Sequence, residues 1–263
     1  MKRTKDINFI LGCIMVGIVI VILLIGVFYT PYDPNQMDGA AKTQAPDLKH
    51  LLGTDNFGRD ILSRVMEGGK VTFLVAVFTV LIGGGAGILI GAVTGYYGGA
   101  VDEILMRFND ALASFPSILL ALVIVSIMDL GGANLILALG IAFIPSFARV
   151  VRSEFITLKE MDFVKNAKLM GASDFRIMFF HILPNTRKIL GTSIMIGFNN
   201  AILAEAGLSY LGLGVQPPMA SLGRMLSESQ AYLFNAPWYA LAPGGMIVLT
   251  VLGFNCLADR KAD

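Results

Sequence analysis

The chain alternates long apolar stretches with short polar ones. Crossing a bilayer core takes about 20 apolar residues at a rise of ~1.5 Å each. On that ruler six stretches qualify: Ile7 to Tyr29, Val71 to Tyr97, Ile104 to Met128, Leu135 to Val150, Ile189 to Leu211 and Trp238 to Leu257. The fourth is short and holds Pro145 and Arg149. Pro116 in the third and Gly244-Gly245 in the sixth are expected to kink or loosen their helices without ending them, because neighbouring helices can take up the freed backbone groups. The first run exceeds the ~7 to 15 residues of a signal-peptide core and has no small-residue cleavage site before Pro31, so it is expected to be a transmembrane helix.

Composition agrees with this pattern. Hydrophobic residues make up 55% of 263 and charged residues 15%, with a mean hydropathy of +0.71, which excludes a water-soluble domain and predicts a polytopic, all-α membrane protein. The net charge of +1 says little, because what matters is which loops carry the charge. Lys2, Arg3 and Lys5, the segment 149–188 and Arg260-Lys261 hold most of the basic residues. Segment 129–134 has no Lys or Arg, and 212–237 has only Arg224. An even number of spans with this asymmetry predicts that both termini are cytoplasmic. The chain then divides into a tip and first span (1–30), an extracytoplasmic segment (31–69), a core (70–258) and a short tail (259–263).

Within the extracytoplasmic segment, Asp60 to Gly68 places Ile61, Leu62, Val65 and Met66 on one face, which predicts a surface-lying helix leading into the second span. The second span carries Gly83, Gly87, Gly91 and Gly95 four residues apart, a stripe that lets another backbone approach closely. The partner of that face, in this chain or another, is left open by the pattern.

The polar interruption from Arg149 to Lys188 adds Arg152, Lys159, Lys165, Lys168, Arg176 and Arg187 to a setting that is otherwise apolar. Asp162 is placed to cap a helix whose Phe163, Val164, Ala167 and Met170 form one apolar stripe, with Gly171 as a left-handed stop. Ser173 can cap a second helix through Ile177, Met178 and His181, expected to end at Leu183 before Pro184. Such a helix, turn and helix suits either a surface lying on anionic lipid headgroups or one that docks a soluble protein.

Other chemistry is thin. Gly68-Gly69-Lys70-Val71 lacks the leading Gly and the hydroxyl residue of a phosphate-binding loop, so no nucleotide site is expected. His50 and His181 stand alone, Cys13 and Cys256 lie in apolar runs, and no nucleophile and base are grouped; neither a metal site nor catalysis is expected. Polar residues inside spans should face protein or a water-filled path. Arg107 and Asp110 are spaced to pair, while Asn199, Asn200 and Glu205, with Asp129, are candidates to line a translocation route.

Phe163 to Ser173, followed by His181-Ile182-Leu183-Pro184-Asn185, resembles the coupling loop, or EAA motif, of ABC-importer permeases, and more narrowly the dipeptide, oligopeptide and nickel permease family. Three further blocks agree in order: Gly53 to Arg64, Gly95-Tyr96-Tyr97-Gly98-Gly99 with Asp102, Met106-Arg107 and Asp110, and Leu211 to Pro218. The sequence departs from the pattern at Lys165-Asn166-Ala167, where the family has Glu-Ala-Ala, and at Ser221-Leu222-Gly223, where an aromatic residue usually precedes Gly.

The resemblance implies a type I ABC-importer permease of about six transmembrane helices with a cytoplasmic coupling helix, in a bacterial inner membrane. It implies a homologous second permease, two ATPase subunits that use ATP and magnesium, an extracytoplasmic solute-binding protein and membrane lipid as partners, with no nucleic acid and no cofactor bound by this chain. Of the motif's core only Ala167 and Gly171 match, and the resemblance implies that Phe163, Val164, Ala167, Met170, Gly171, Ala172, His181 and Pro184 couple the chain to the ATPase subunits. Di- or oligopeptides are the implied cargo, with nickel or a metal chelate as the alternative; a non-ABC channel or assembly subunit is the rival class.

Overall fold

The computed structural model describes residues 2–128 and 131–261. Asp129, one of the candidate path residues, lies outside the described residues. Among those described, the chain is helical apart from connecting segments and one isolated bridge between Thr54 and Asp60.

Ten α-helices follow in order: α1 (Lys2–Phe28), α2 (Ile61–Tyr97), α3 (Gly99–Ala113), α4 (Ser117–Ile127), α5 (Gly132–Leu158), α6 (Asp162–Leu169), the single turn α7 (Asp174–Arg176), α8 (Arg187–Tyr210), α9 (Leu222–Ser229) and α10 (Pro237–Lys261). Five helical stretches are long and apolar enough to cross a membrane, and α3 with α4, bent by 85° at a short break, pass the same measure as a pair, giving six if the pair is one broken span. Five of the six expected spans are single helices and the third is this bent pair, with several further changes.

The surface-lying helix expected at Asp60 to Gly68 does not exist as a separate element. It is the start of α2, which runs unbroken for 37 residues, and Ile61, Ser63, Arg64, Val65 and Met66 are all buried in it. Asp60 begins this helix by accepting from the backbone N–H and the hydroxyl of Ser63, at 2.8 and 2.7 Å. The fourth span is not short: α5 has 27 residues, continues through Pro145, and buries more of its apolar window than any other crossing, which is why its sequence tolerates Arg149 and Arg152 at one end. Pro116 does more than kink the third span, because Ser114 to Pro116 leave the helix altogether. Gly244-Gly245 lie inside an uninterrupted α10.

The core of the bundle is the pair α2 and α5, which run parallel. Each glycine of the stripe meets α5 at a successive turn. A Cβ added at Gly83 would lie 2.8 Å from Gly140 O, at Gly87 2.5 Å from Phe147 Cβ, at Gly91 2.5 Å from Ala148 O and at Gly95 2.6 Å from Phe155 Cβ. The stripe thus serves a contact within this chain, bringing two backbones together where apolar lipid gives helices no hydrophobic reason to associate. Around this pair, α8 packs on α2 and α10, and α1 lies against α10.

At one end of the bundle, segment 29–60 forms an irregular cap tied down by buried charge. Arg59 Nε bonds Asp55 Oδ2 at 2.5 Å and Arg59 Nη2 bonds Glu228 Oε2 at 2.9 Å, while Arg64 lies 3.6 Å from Asp55 and 3.4 Å from Glu228. Tyr239 of α10 donates to the same Glu228 oxygen at 3.1 Å. Buried ions survive only when paired in this way. The opposite end of the bundle carries α6, α7 and the segment up to α8.

Candidate coupling surface and translocation groove

The end bearing α6 has its own small core. Ala92 of α2, Val151 and Phe155 of α5, Val164 of α6, and Ile177, Met178 and Ile182 pack together, with Ala167, Ala172 and Leu183 against them. Asp162 is the first residue of α6 and its side chain caps nothing; Met161 occupies the cap position, and the acid contributes its charge to the first turn instead. The expected single stripe divides: Val164 is buried and Ala167 half-buried, whereas Phe163 and Met170 face outward, Met170 with 88% of its surface exposed.

The turn is as the sequence predicts. Gly171 has φ +80°, its N–H donates to Lys168 O at 3.0 Å, and Ala172 N donates to Ala167 O at 3.1 Å. This paired closure satisfies the carbonyls of the last turn and needs a residue that adopts positive φ without strain. Ser173 then accepts from Arg176 N at 3.4 Å to open the second helical piece.

That piece does not end at Leu183. Backbone helicity continues as a π segment, Ile177–Ile182, and a 3₁₀ segment, Leu183–Thr186, straight into α8. Wider and tighter turns in succession accommodate Pro184, which has no N–H to give. Leu183 N reaches Met178 O, and Asn185 Nδ2 donates to His181 O at 2.6 Å, serving a carbonyl that the altered ladder would leave unpaired. His181 and Pro184 therefore sit on a rigid rod joining the turn to a membrane span, with His181 half-buried and Pro184 exposed.

The sequence missed three residues of this surface. Leu169 is 86% exposed, Phe180 67% and Phe175 63%, and Phe175 stacks 4.8 Å from Phe179. With Phe163 and Met170 they leave five large apolar side chains exposed on the segment 163–180, which also exposes Lys165, Lys168 and Arg176. Not every basic residue of the segment is free for a partner. Arg152 forks onto both oxygens of Asp102 at 2.6 Å, and Arg149 bonds Asp110 at 2.8 Å, tying α5 to α3. The expected pairing of Arg107 with Asp110 does not form, because Arg107 takes Glu103 one turn earlier, at 2.6 Å. Tyr96 at the end of α2 donates to Asp174 at 2.6 Å, fixing α7 to the same long helix.

The candidate path residues point in different directions. Asn199 is buried and donates to Asn255 Oδ1 at 2.7 Å and Val251 O at 3.3 Å, toward α10. Glu205 is fully buried near the opposite end of α8 and accepts from Ser209 at 2.6 Å. Only Asn200 of the three lines a groove, a cleft of about 450 Å³ between α4, α5 and α8. Ser117, Ser146 and Ser193 share it with the apolar walls Phe143, Phe147 and Ile196, and its lining holds no charged side chain.

Comparison with known proteins places this arrangement. The family described as binding-protein-dependent transport system inner membrane component matches residues 87–260. The chain belongs to that family. It is 41% identical over 249 residues to the glutathione transport system permease protein GsiD of Pectobacterium atrosepticum, covering 92% of this chain and 83% of the relative. It is 39% identical to the dipeptide transport system permease protein DppC of Alkalihalophilus pseudofirmus, over 97% of this chain and 84% of the relative. The corresponding DppC of Haemophilus influenzae is 36% identical over 97% of this chain and 88% of its own length. Among solved structures, an inward-facing MetNI methionine ABC transporter shares the fold with a TM-score of 0.59 at 20% identity, over 76% of this chain and 93% of that one. The all-helical permease architecture expected from the resemblance is the one observed.

Proposed function

We propose that this chain is the membrane-spanning permease of an ATP-driven importer of short peptides, and that the α6–Gly171–α7 corner is the surface through which ATPase subunits drive it. The observation that carries this reading is the exposure of five large apolar side chains, Phe163, Leu169, Met170, Phe175 and Phe180, on the segment that also exposes Lys165 and Lys168. Membrane lipid covers apolar side chains along a span, but apolar side chains exposed at a basic bundle end, on a corner stiffened by a glycine turn, fit a protein partner. The small core beneath it joins that corner to α2 and α5, so a push on α6 is delivered to the two most closely packed helices.

The distribution of basic residues supports a cytoplasmic position for this end and both termini, with the cap of 29–60 outside. The groove of Ser117, Ser146, Ser193 and Asn200 offers hydrogen bonds without charge, which suits peptide amides moving past an apolar wall. Relatives named for dipeptide and glutathione transport support a peptide cargo. A second permease, two ATPase subunits that bind ATP and magnesium, and a solute-binding protein complete the machine. The test is reconstitution of the chain with these partners in proteoliposomes. ATP-dependent accumulation of labelled di- or tripeptide is expected; peptide flux that ignores ATP would overturn the reading.

A further inference from the structure

We propose that Glu205 is a positioning residue that holds the outer loop 211–221 and the first turn of α9 in one conformation, the one that admits solute to the groove. Glu205 is fully buried, directly follows Leu203 and Ala204 of the groove wall, and is an ionisable group within a membrane span, a costly choice if only volume were needed.

Three hydroxyls surround its carboxylate, and each is already an acceptor for the segment beyond α8. Ser209 Oγ accepts from Val215 N at 3.1 Å, Thr72 Oγ1 from Leu222 N at 3.2 Å and Ser221 Oγ from Arg224 N at 3.2 Å. Each hydroxyl has one hydrogen left to give. Ser209 gives its hydrogen to Glu205 Oε1 at 2.6 Å, and the Thr72 and Ser221 hydroxyls face the same carboxylate. Oε2 is buried without a hydrogen-bond partner, so the carboxylate is tied to this segment through Oε1 and Ser209. Glu205 is thus bonded through Ser209 to the backbone of residue 215, and it lies beside the two hydroxyls that hold residues 222 and 224.

Close backbone packing shows that the segment is seated, not merely nearby. No Cβ could be added at Gly214 without striking Ser209, or at Gly223 without striking Ala206 O, and one at Gly68 would lie 3.1 Å from Ser221 C. The loop therefore lies directly on α8 and α2 with the carboxylate beneath it. The far end of α9 is held separately, by Glu228 on Arg59 and Arg64.

The test reads the loop directly and needs the importer reading only for its transport arm. Ala220 is 1% exposed, so an Ala220→Cys probe, in a chain with Cys13→Ala and Cys256→Ala, is protected from a membrane-impermeant maleimide added outside. Glu205→Leu keeps the volume and removes the acceptors; Ser209→Ala removes one relay. In the assembled complex each should raise the labelling rate about tenfold, as expected when a buried hydrogen bond is lost, and Glu205→Leu with Ser209→Ala together should label no faster than Glu205→Leu alone. Peptide uptake should fall about fivefold or more with the ATPase subunits still bound and basal ATP hydrolysis unchanged. Labelling within about twofold of the parent, or multiplicative effects in the double variant, would each overturn the proposal.

Discussion

Single residues set the two ends of this molecule. At the end bearing α6, Gly171 has φ +80° with open space around it, so backbone conformation alone constrains the site. Gly171→Val should cost about 1–2 kcal/mol of local strain and open the corner, leaving membrane insertion intact while uptake falls below a tenth of the parent, about the loss such strain allows; an uptake assay beside a membrane-fraction blot checks it. At the end bearing the 29–60 cap, Asp55 and Glu228 share Arg59 and Arg64. Glu228→Leu strands two buried guanidinium groups on one carboxylate and should cost about 3–5 kcal/mol, read as a lower thermal midpoint in detergent. Neither acid was singled out by sequence, since Asp55 and Glu228 are 173 positions apart (228 − 55) and only the fold brings them to the same arginines.

Among the elements, α2 and α5 carry the packing. The glycine stripe was legible because its spacing of four marks one face, but its partner was not, since a stripe describes only its own side of a contact. Gly91→Leu should lower the midpoint by forcing the helices apart, an overpacking cost of about 1–3 kcal/mol or more, whereas Gly85→Ala, with nothing within 4 Å of an added Cβ, should leave it unchanged. Thermal unfolding followed by tryptophan fluorescence separates the two outcomes. The prolines show where local reading fails: Pro116 ends a helix and Pro145 does not, although both interrupt apolar runs. Pro145 is buried in a helix held along its length by α2, and Pro116 follows a half-exposed, amphipathic α3 that has no such support. In the same way Asn199, Asn200 and Glu205 are all visible as polar residues in a span, but helix rotation sends them to α10, to the groove and to the outer loop respectively.

At the scale of the whole molecule, the long helix α2 runs from the 29–60 cap to the α6–α7 corner, meeting Ser221 and Leu222 near one end and Asp174 at the other. A rod of 37 residues, about 55 Å long, can carry a displacement at one face of the membrane to the other, as alternation between two global states requires. The spans, the turn and the basic end could be read from sequence because hydropathy, glycine chemistry and charge are local signals. The α3–α4 break, the buried ion cluster and the groove are products of packing between distant segments. The central claim is that the α6–Gly171–α7 corner is gripped by an ATPase subunit, and the most direct measurement is crosslinking from Met170→Cys and Leu169→Cys in the assembled complex with a short bifunctional maleimide. A covalent adduct with the ATPase subunit, whose yield changes with bound ATP, is the predicted result. An intact complex in which neither position ever reaches that subunit would contradict it.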